Sequence, residues 1–196
     1  MSLSNQTSIL SERLKTQHFC SGQKLPLQTD FLWSIVSGVV KSYTISESGA
    51  LITLGFWGTD DLVGKSLSKI EPYISQCISN VEAIAIPQSQ WGLVSQNIWH
   101  QARQIQQLTF IVRNNRIAKR LWLLLEWLAF KFGREIESGK LIDFKLTHQE
   151  LAEAIGTTRI SVTKTLNQFE REGLILRPKS KCIILKTHSL KNQLFL

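Results

Sequence analysis

Cysteine is scarce in this chain of 196 residues, which contains only Cys20, Cys77 and Cys182. These three residues lie far apart and form no Cys-x-x-Cys pair, so their spacing predicts neither a zinc site nor a disulfide framework. An odd, scattered set of cysteines is typical of free thiols in a reducing compartment. His18 and His100 are isolated as well, with no second ligand at the spacing that metals require. We therefore expect no metal and no cofactor.

Long apolar segments are also absent. The longest, residues 121–130, is too short to cross a bilayer and contains Glu126. The first ten residues are polar and lack the basic region that precedes the apolar segment of a secretion signal. Together these absences predict a cytoplasmic protein that does not bind membranes.

The sequence motifs of common enzyme classes are missing too. The chain has no glycine-rich phosphate loop, no His-Glu-x-x-His pair, no nucleophile elbow and no carboxylate pair suited to a pocket. The sequence therefore gives no support to an enzymatic function. We expect that the chain is not an enzyme.

The positive charge is unevenly distributed. The formal net charge is +8, yet residues 1–112 contain seven basic and seven acidic side chains, whereas residues 113–196 contain 16 and eight. Such concentration of basic residues in one part of a chain is typical of proteins that bind nucleic acid phosphates. A membrane surface is a weaker candidate, because the basic residues do not lie on a strongly amphipathic helix.

The most informative pattern covers residues 146–186, LTHQELAEAIGTTRISVTKTLNQFEREGLILRPKSKCIILK. Thr147 and Glu150 form a Thr-x-x-Glu capping box, which predicts that a helix begins directly after Thr147. Gly156 ends this helix, because the following turn favours a positive φ. A second helix is then expected over residues 159–172, and a two-stranded wing after it. The whole pattern predicts a winged helix-turn-helix.

The second helix has an apolar face and a polar face. The apolar stripe at helical spacing consists of Val162, Leu166 and Phe169. The opposite face offers three candidates for contact with DNA bases: Arg159, Ile160 and Lys164. The candidates for contact with phosphates are polar or basic: Lys145, Thr147, Gln149, Thr158, Ser161, Thr163, Lys179 and Lys181. Double-stranded DNA is therefore the predicted partner.

Two stretches carry a family resemblance, LTHQELAEAIGTTRISVTKTLNQFEREGLI at residues 146–175 and NNRIAKRLWLLLEWLAFKFG at residues 114–133. They resemble the Crp/Fnr family of bacterial transcription regulators, and are similar to cyanobacterial members such as the global nitrogen regulator. The resemblance implies an α+β chain with an N-terminal β-roll related to cyclic-nucleotide-binding domains, a long dimerisation helix and a C-terminal winged helix. It also implies a homodimer that binds a near-palindromic site and contacts RNA polymerase.

The N-terminal half reads as β structure. Strand-like runs occur at residues 32–36, 39–45, 51–56 and 81–86, and Ser48-Gly49 is a good hairpin turn. The segment between Lys24 and Trp33 is short for a full family roll, so we expect a trimmed roll. Residues 133–140 are polar and predict a loop, followed by a strand at 141–145.

The resemblance also bears on an effector. Family members that bind cyclic nucleotides use a Gly-Glu pair and an Arg followed by Ser or Thr, whereas the matching positions here are Gly64-Lys65 and Cys77-Ile78. Binding of cyclic AMP is therefore not expected. Another small metabolite remains open as an effector, and so does a roll that is structural or senses a protein partner.

The segment between the two halves predicts a long helix with one narrow apolar stripe: Ile98, Ala102, Ile105, Leu108 and Val112. Steps of three and four residues suit a seam between two helices, as in a two-stranded coiled coil. A helix packed only on its own roll is the alternative. We predict three parts: a roll at residues 1–90, a dimerisation helix at 91–113 and a DNA-binding domain at 114–196.

The sequence therefore predicts a sequence-specific, homodimeric transcription regulator. A low-specificity architectural DNA-binding protein is one alternative, because apolar Ile160 lies at a position where relatives often carry a polar residue. A regulator controlled by an unknown effector is the other.

Overall fold

The computed structural model of this protein describes residues 15–178 and 182–186. Contacts divide the chain into two compact units, Met1–Gln107 and Leu108–Leu196. The division falls inside a long helix, α1, which spans Ser95–Val112. The three-part division made from the sequence stays a prediction.

Two antiparallel sheets form most of the first unit. Its strands are β1 (Thr16–Phe19), β2 (Phe31–Ser37), β3 (Val40–Ile45), β4 (Leu51–Trp57), β5 (Leu62–Val63), β6 (Ile74–Cys77) and β7 (Val81–Pro87). One sheet has the strand order β1-β7-β2-β5 and the other β4-β3-β6. Short 3-10 helices occupy Lys65–Leu67 and Gln88–Val94.

The core of the first unit combines side chains from both sheets. One buried cluster includes Trp33, Ile35, Val40, Trp57 and Cys77. Burial of a large apolar side chain contributes about 1.5–3 kcal/mol. The indole of Trp33 also donates from Nε1 to the Pro26 carbonyl oxygen at 2.7 Å, so its polar group keeps a partner inside the core.

The four predicted strand runs correspond to β2, β3, β4 and β7, and their ends agree to within one residue. Gly49 adopts a φ of 81° in the predicted turn between β3 and β4. Strands β1, β5 and β6 were not predicted. They are short, and β1 forms by pairing with a distant segment, with Phe19 opposite Val81.

The second unit contains helices and one antiparallel sheet. Its elements are α2 (Ile117–Phe132), β8 (Gly133–Ile136), β9 (Gly139–Ile142), α3 (His148–Ile155), α4 (Arg159–Arg171), β10 (Ile175–Leu176) and β11 (Ile183–Leu185). The strand order is β10-β11-β9-β8. No helix in the part of the chain that the structure describes is long and apolar enough to cross a membrane.

The predicted loop at residues 133–140 is wrong, and the strand predicted at 141–145 is present but begins and ends earlier, at Gly139–Ile142. Strands β8 and β9 form a hairpin in which Arg134 lies opposite Leu141. Strand β8 is at the sheet edge and exposes polar side chains, so it lacks the apolar alternation that identifies a strand. Gly139 has a φ of 139°, and a Cβ there would lie 2.0 Å from the Leu185 carbonyl oxygen. The close pairing of β9 with β11 therefore requires glycine.

Candidate DNA-binding site

The first helix of the motif, α3, begins at the predicted capping box. The Glu150 backbone N–H donates to Thr147 Oγ1 at 3.1 Å, and the Thr147 N–H donates to Glu150 Oε2 at 2.8 Å. Two N–H groups that lack partners within the helix are thereby satisfied. Gly156 ends α3 with φ 63° and ψ 57°, a left-handed conformation that favours glycine. The sequence prediction of this helix and its turn is confirmed.

The second helix, α4, begins at Arg159 as predicted. Thr158 caps it, because its hydroxyl oxygen accepts from the Ser161 backbone N–H at 3.2 Å. The predicted apolar stripe is buried in full: Val162, Leu166 and Phe169. Phe169 meets Trp122 of α2 edge to face, with ring centroids 5.5 Å apart. This packing fixes the back of α4 and leaves its front facing solvent.

The front of α4 carries the three predicted base-contacting residues. Arg159, Ile160 and Lys164 are all exposed, and Ile160 keeps 69% of its surface open to solvent. A single exposed isoleucine is ordinary on a protein surface, so this exposure shows only that the Ile160 side chain is accessible. The helix thus presents two cations and one apolar group from its first two turns.

Five predicted phosphate contacts already form hydrogen bonds within the motif, among them Gln149, whose Nε2 donates to Glu153 Oε1 at 3.1 Å. The hydroxyl of Thr147 donates to Glu150, and that of Thr158 lies 3.0 Å from the Ser161 hydroxyl. The hydroxyl of Thr163 donates to the Arg159 carbonyl oxygen at 2.9 Å. These side chains shape the helix starts. Lys179 and Lys181, which were also predicted to contact phosphates, lie outside the described residues.

A cavity of about 620 Å³ brings several predicted residues together with others that the sequence did not single out. Its lining includes the predicted Lys145, Thr147, Gln149 and Arg159. It also includes His148, Glu170, Arg177 and Cys182. Lys164 instead lines a separate groove of about 520 Å³ with Arg171. The cavity is therefore lined by polar and charged side chains from α3, α4 and the wing.

His148 links α3 to α4 at this cavity. Its Nδ1 lies 2.8 Å from Thr163 Oγ1, whose proton is directed at the Arg159 carbonyl, so the geometry is satisfied when the imidazole N–H donates. Burial lowers the pKa of His148, and the positive charges of Arg177 and Arg159 lower it further. The neutral imidazole is therefore favoured in the folded chain. The only feature of the sequence that could have indicated this role of His148 is its position directly after the helix cap Thr147.

Helix α1 turns buried amides toward its own unit. Asn97 donates from Nδ2 to the Asp60 carbonyl oxygen at 2.6 Å, and Gln104 donates from Nε2 to Asp61 Oδ1 at 2.8 Å. Gln101 bonds both backbone groups of the first residue of β5, at 2.9 and 3.2 Å. All three amide residues are buried. Hydrogen bonds, rather than apolar packing, tie this face of α1 to the loop before β5.

The surface of α1 that points away from these amides carries four large, exposed apolar side chains and is called the exposed apolar face below. Relative exposures are 39% for Ile98, 74% for Trp99, 48% for Ile105 and 58% for Phe110. Ala102 lies on the same face and is exposed, and Val112 is half-buried. Several large apolar side chains exposed along one helix are uncommon in a chain that acts alone.

Leu108 departs from the predicted stripe. It is buried, with 8% exposure, whereas Ile98 and Ile105 are open. At about 100° per residue, Leu108 follows Gln101 and Gln104 around the helix rather than Ile98. Its assignment to an exposed seam is therefore corrected, and Thr109 occupies the place after Ile105.

The positions that bind cyclic nucleotides in relatives have other roles in this roll. Lys65 forms an ion pair with Glu71. Cys77 is 1% exposed in the core, and burial, with a smaller contribution from Cys20, raises the pKa of its thiol to about 11. Neither position therefore supplies the groups that would compensate a buried phosphate and a ribose.

Together, the capped α3, the turn at Gly156, the exposed front of α4 and the wing define a winged helix-turn-helix DNA-binding protein. Residues 115–193 match the family described as the Crp-like helix-turn-helix domain. The regulatory protein CysR of Synechococcus elongatus is 36% identical over 164 residues, which cover 82% of this chain and 79% of that protein. The chain belongs to the Crp/Fnr family of transcriptional regulators, and the resemblance to cyanobacterial members is confirmed.

Solved structures agree on the fold of most of the chain. A CRP-family transcriptional regulator from Thermus thermophilus has a TM-score of 0.76 at 22% identity, covering 89% of this chain and 93% of that one. A cyclic nucleotide-binding domain containing protein from Listeria monocytogenes has a TM-score of 0.73 at 15% identity, with coverages of 95% and 98%. The predicted fold, a cyclic-nucleotide-binding-like β-roll, a long helix and a winged helix, is confirmed.

Proposed function

We propose that this regulator acts as a homodimer that binds a near-palindromic DNA sequence. The observation that carries the proposal is the exposed apolar face of α1, which a second copy of the same face would bury. A two-fold symmetric dimer presents two copies of α4, and these match two half-sites about one helical turn of DNA apart. Membership in the family extends the proposal to contact with RNA polymerase in the cytoplasm.

In this proposal the exposed front of α4 reads the DNA bases. Arg159 donates two hydrogen bonds to a guanine edge, a contact that discriminates against other bases by about 1–3 kcal/mol. Lys164 assists, and Ile160 contacts a thymine methyl group. The predicted phosphate contacts fix the position of the protein along the DNA duplex: Lys145, Thr147, Gln149, Thr158, Ser161, Thr163, Lys179 and Lys181.

We infer further that the protein binds its operator without cyclic AMP. The ion pair of Lys65 with Glu71 and the buried thiol of Cys77 support this, because a phosphate in the roll would have no arginine partner. A different small molecule as effector is the competing account.

A low-specificity architectural role is the second candidate. The exposed Ile160 favours it, since an isoleucine at the front of α4 makes no hydrogen bond to a base. Such a protein would bind many sequences with similar affinity and a steep dependence on salt.

Selection of bound sequences from a random DNA pool, with purified protein and no added ligand, tests the proposal. A two-fold symmetric motif is expected, and Arg159→Ala should relax the preference at one base pair of each half-site. A flat selection that becomes symmetric when metabolites from a cell extract are added would support an effector instead. A flat selection under both conditions would support the architectural role. An unchanged base preference in the Arg159 variant would contradict the assignment of Arg159.

A further inference from the structure

Arg177, at the start of the wing, is held in place by the recognition helix α4. Its Nη2 donates to Asn167 Oδ1 at 2.6 Å and to Glu170 Oε2 at 2.5 Å, and its Nε donates to the same carboxylate oxygen at 3.2 Å. The Arg177 side chain retains only 22% exposure. The hydrogen bond from Arg177 is the main cause that lowers the pKa of Glu170. One edge of the guanidinium is thus fully occupied by α4.

The remaining nitrogen of the guanidinium is available for another ligand. Arg177 Nη1 makes no hydrogen bond to any residue that the structure describes. Arginine has five N–H donors in a rigid plane, so fixing Nε and Nη2 also fixes the direction of Nη1. The residue lines the cavity of about 620 Å³, so its position there is set in advance of any binding.

Cations dominate the charge of that cavity. Lys145, Arg159 and Arg177 line it together, and Glu170 is the one carboxylate that lines it within residues 15–178 and 182–186. His148 also lines the cavity, and burial, followed by the positive charges of Arg177 and Arg159, lowers its pKa. Gathering three cations around a concave surface is unfavourable unless an anion compensates them. Arginine and lysine in this arrangement suit the oxygens of a phosphate.

We propose that this cavity binds one phosphodiester of the DNA backbone, with Arg177 as a direct ligand and with Glu170 and Asn167 as positioning residues. The inference rests on the proposed DNA-binding function and names a contact within it. Glu170 and Asn167 belong to the same helix as Arg159. They therefore fix the distance between the phosphate-binding cation and the base-reading face. The contact is sequence-independent and sets the depth at which α4 enters the groove.

A rival account makes Glu170 a competitor that occupies Arg177 until a phosphate displaces it. The two accounts predict opposite effects for Glu170→Gln. If Glu170 positions Arg177, the variant binds DNA several-fold more weakly, because the guanidinium loses its fixed orientation. If Glu170 competes, the variant binds more tightly. Asn167→Ala should weaken binding in the first account without altering any charge.

The experiment measures the affinity of the full-length protein for one selected duplex across a salt series. Arg177→Gln should lower affinity about tenfold and reduce the slope of log affinity against log salt by about 0.9 for each bound chain. In the Arg177→Gln background, Glu170→Gln should have no further effect, because the coupled pair is already broken. Lys69→Gln is the control for net charge, since Lys69 is exposed and belongs to the first unit. It should leave the slope unchanged.

The outcomes separate this inference from the function on which it rests. If the unmodified protein shows no salt-dependent DNA binding, the proposed function itself is refuted. Normal binding by the unmodified protein with an unaltered slope in Arg177→Gln would overturn only the phosphate site. Tighter binding by Glu170→Gln would overturn the positioning role. Circular dichroism spectra that match the unmodified protein confirm that each variant is folded.

Discussion

Helices α1 and α4 use their two faces in opposite ways. Helix α4 buries the apolar side chains Val162, Leu166 and Phe169 and exposes polar and cationic ones, as a surface helix of a single folded chain does. Helix α1 buries three amides, together with Leu108 and Ile111 near its end, and exposes other apolar side chains, among them Trp99 and Phe110. In α4, the apolar stripe is buried by other parts of the same chain. Helix α1 leaves apolar surface in water, and a partner is needed to remove it.

The buried faces differ in the chemistry that holds them. Helix α4 is held by close packing, which tolerates small adjustments of neighbouring side chains. The amides of α1 are held by directional bonds to Asp60, Asp61 and the backbone of β5. Such bonds fix the rotation of α1 about its own axis, because a turn of the helix would break all of them. The apolar face of α1 is therefore presented in one fixed direction from the first unit.

The largest expected effect comes from charging the exposed face of α1. Ile105→Glu places a carboxylate on each side of the proposed dimer seam, where the two charges repel one another. We expect a monomer whose DNA affinity falls about 100-fold or more, because the second recognition helix is no longer linked to the first. Light scattering and titration with the selected duplex measure the two results.

Ile52→Glu is the matched control for Ile105→Glu. Ile52 is exposed to a similar degree, 46% against 48%, but it lies on β4 and not on the helix. The control should remain dimeric with normal DNA affinity. A dimer that persists in Ile105→Glu would show that the seam lies elsewhere.

An intermediate effect is expected from removing a buried amide. Gln101→Ala leaves the backbone N–H and C=O of Leu62 without their partner in a buried position. We expect the free energy of unfolding to fall by about 2 kcal/mol. Gln96→Ala, at an exposed glutamine in the first turn of the same helix and outside the proposed seam, should change it by less than about 0.5 kcal/mol. Urea unfolding followed by circular dichroism gives both values, and equal losses would refute the role of the amide bonds.

The smallest expected effect on stability comes from Glu126 of α2. Glu126 is buried like the α1 amides, but one of its oxygens lacks the hydrogen-bond partner that those amides have. Its Oε2 is buried and has no hydrogen-bond partner within the described residues. Burial raises its pKa above the usual 4.5, although Trp122 and Lys119 act in the other direction. Because the folded state holds the proton more tightly than the unfolded state, stability declines as pH rises through the folded-state pKa.

Glu126→Gln should therefore stabilise the protein by about 1 kcal/mol at pH 7. The gain should shrink toward pH 4, where the carboxyl of the unmodified protein is protonated. Unfolding in urea at both pH values measures the change. Glu137→Gln, at an exposed position of the β8–β9 hairpin, is the control and should have little effect at either pH. A stabilisation that does not depend on pH would contradict the assignment to the buried carboxyl.

The helix-turn-helix could be predicted residue by residue, because its signals are local. The capping box of Thr147 and Glu150 lies within four residues of the sequence. A single residue, Gly156, is enough to indicate the turn that follows the helix. The contacts of Gln101 could not be predicted in the same way. Glutamine is usually exposed, and the partner of Gln101 lies 39 residues away in the chain. Strands formed by distant pairing, such as β1, escaped prediction for the same reason.

The exposed apolar face of α1 could be predicted only in part. The steps from Ile98 to Ile105 follow the helical period, and both residues are exposed. The step to Leu108 fits the period equally well, but it crosses to the face that carries the buried amides. Sequence spacing alone does not show where one face ends, because that boundary depends on which side chains the folded chain covers.

The number of chains bound to one symmetric duplex tests the central claim most directly. Sedimentation of the complex between the purified protein and its selected duplex, without added ligand and near physiological salt, gives this number. The account predicts two chains per duplex, and one chain per half-length duplex only at much lower affinity. One chain per full duplex at undiminished affinity would contradict the proposal that α1 joins two copies for symmetric DNA recognition.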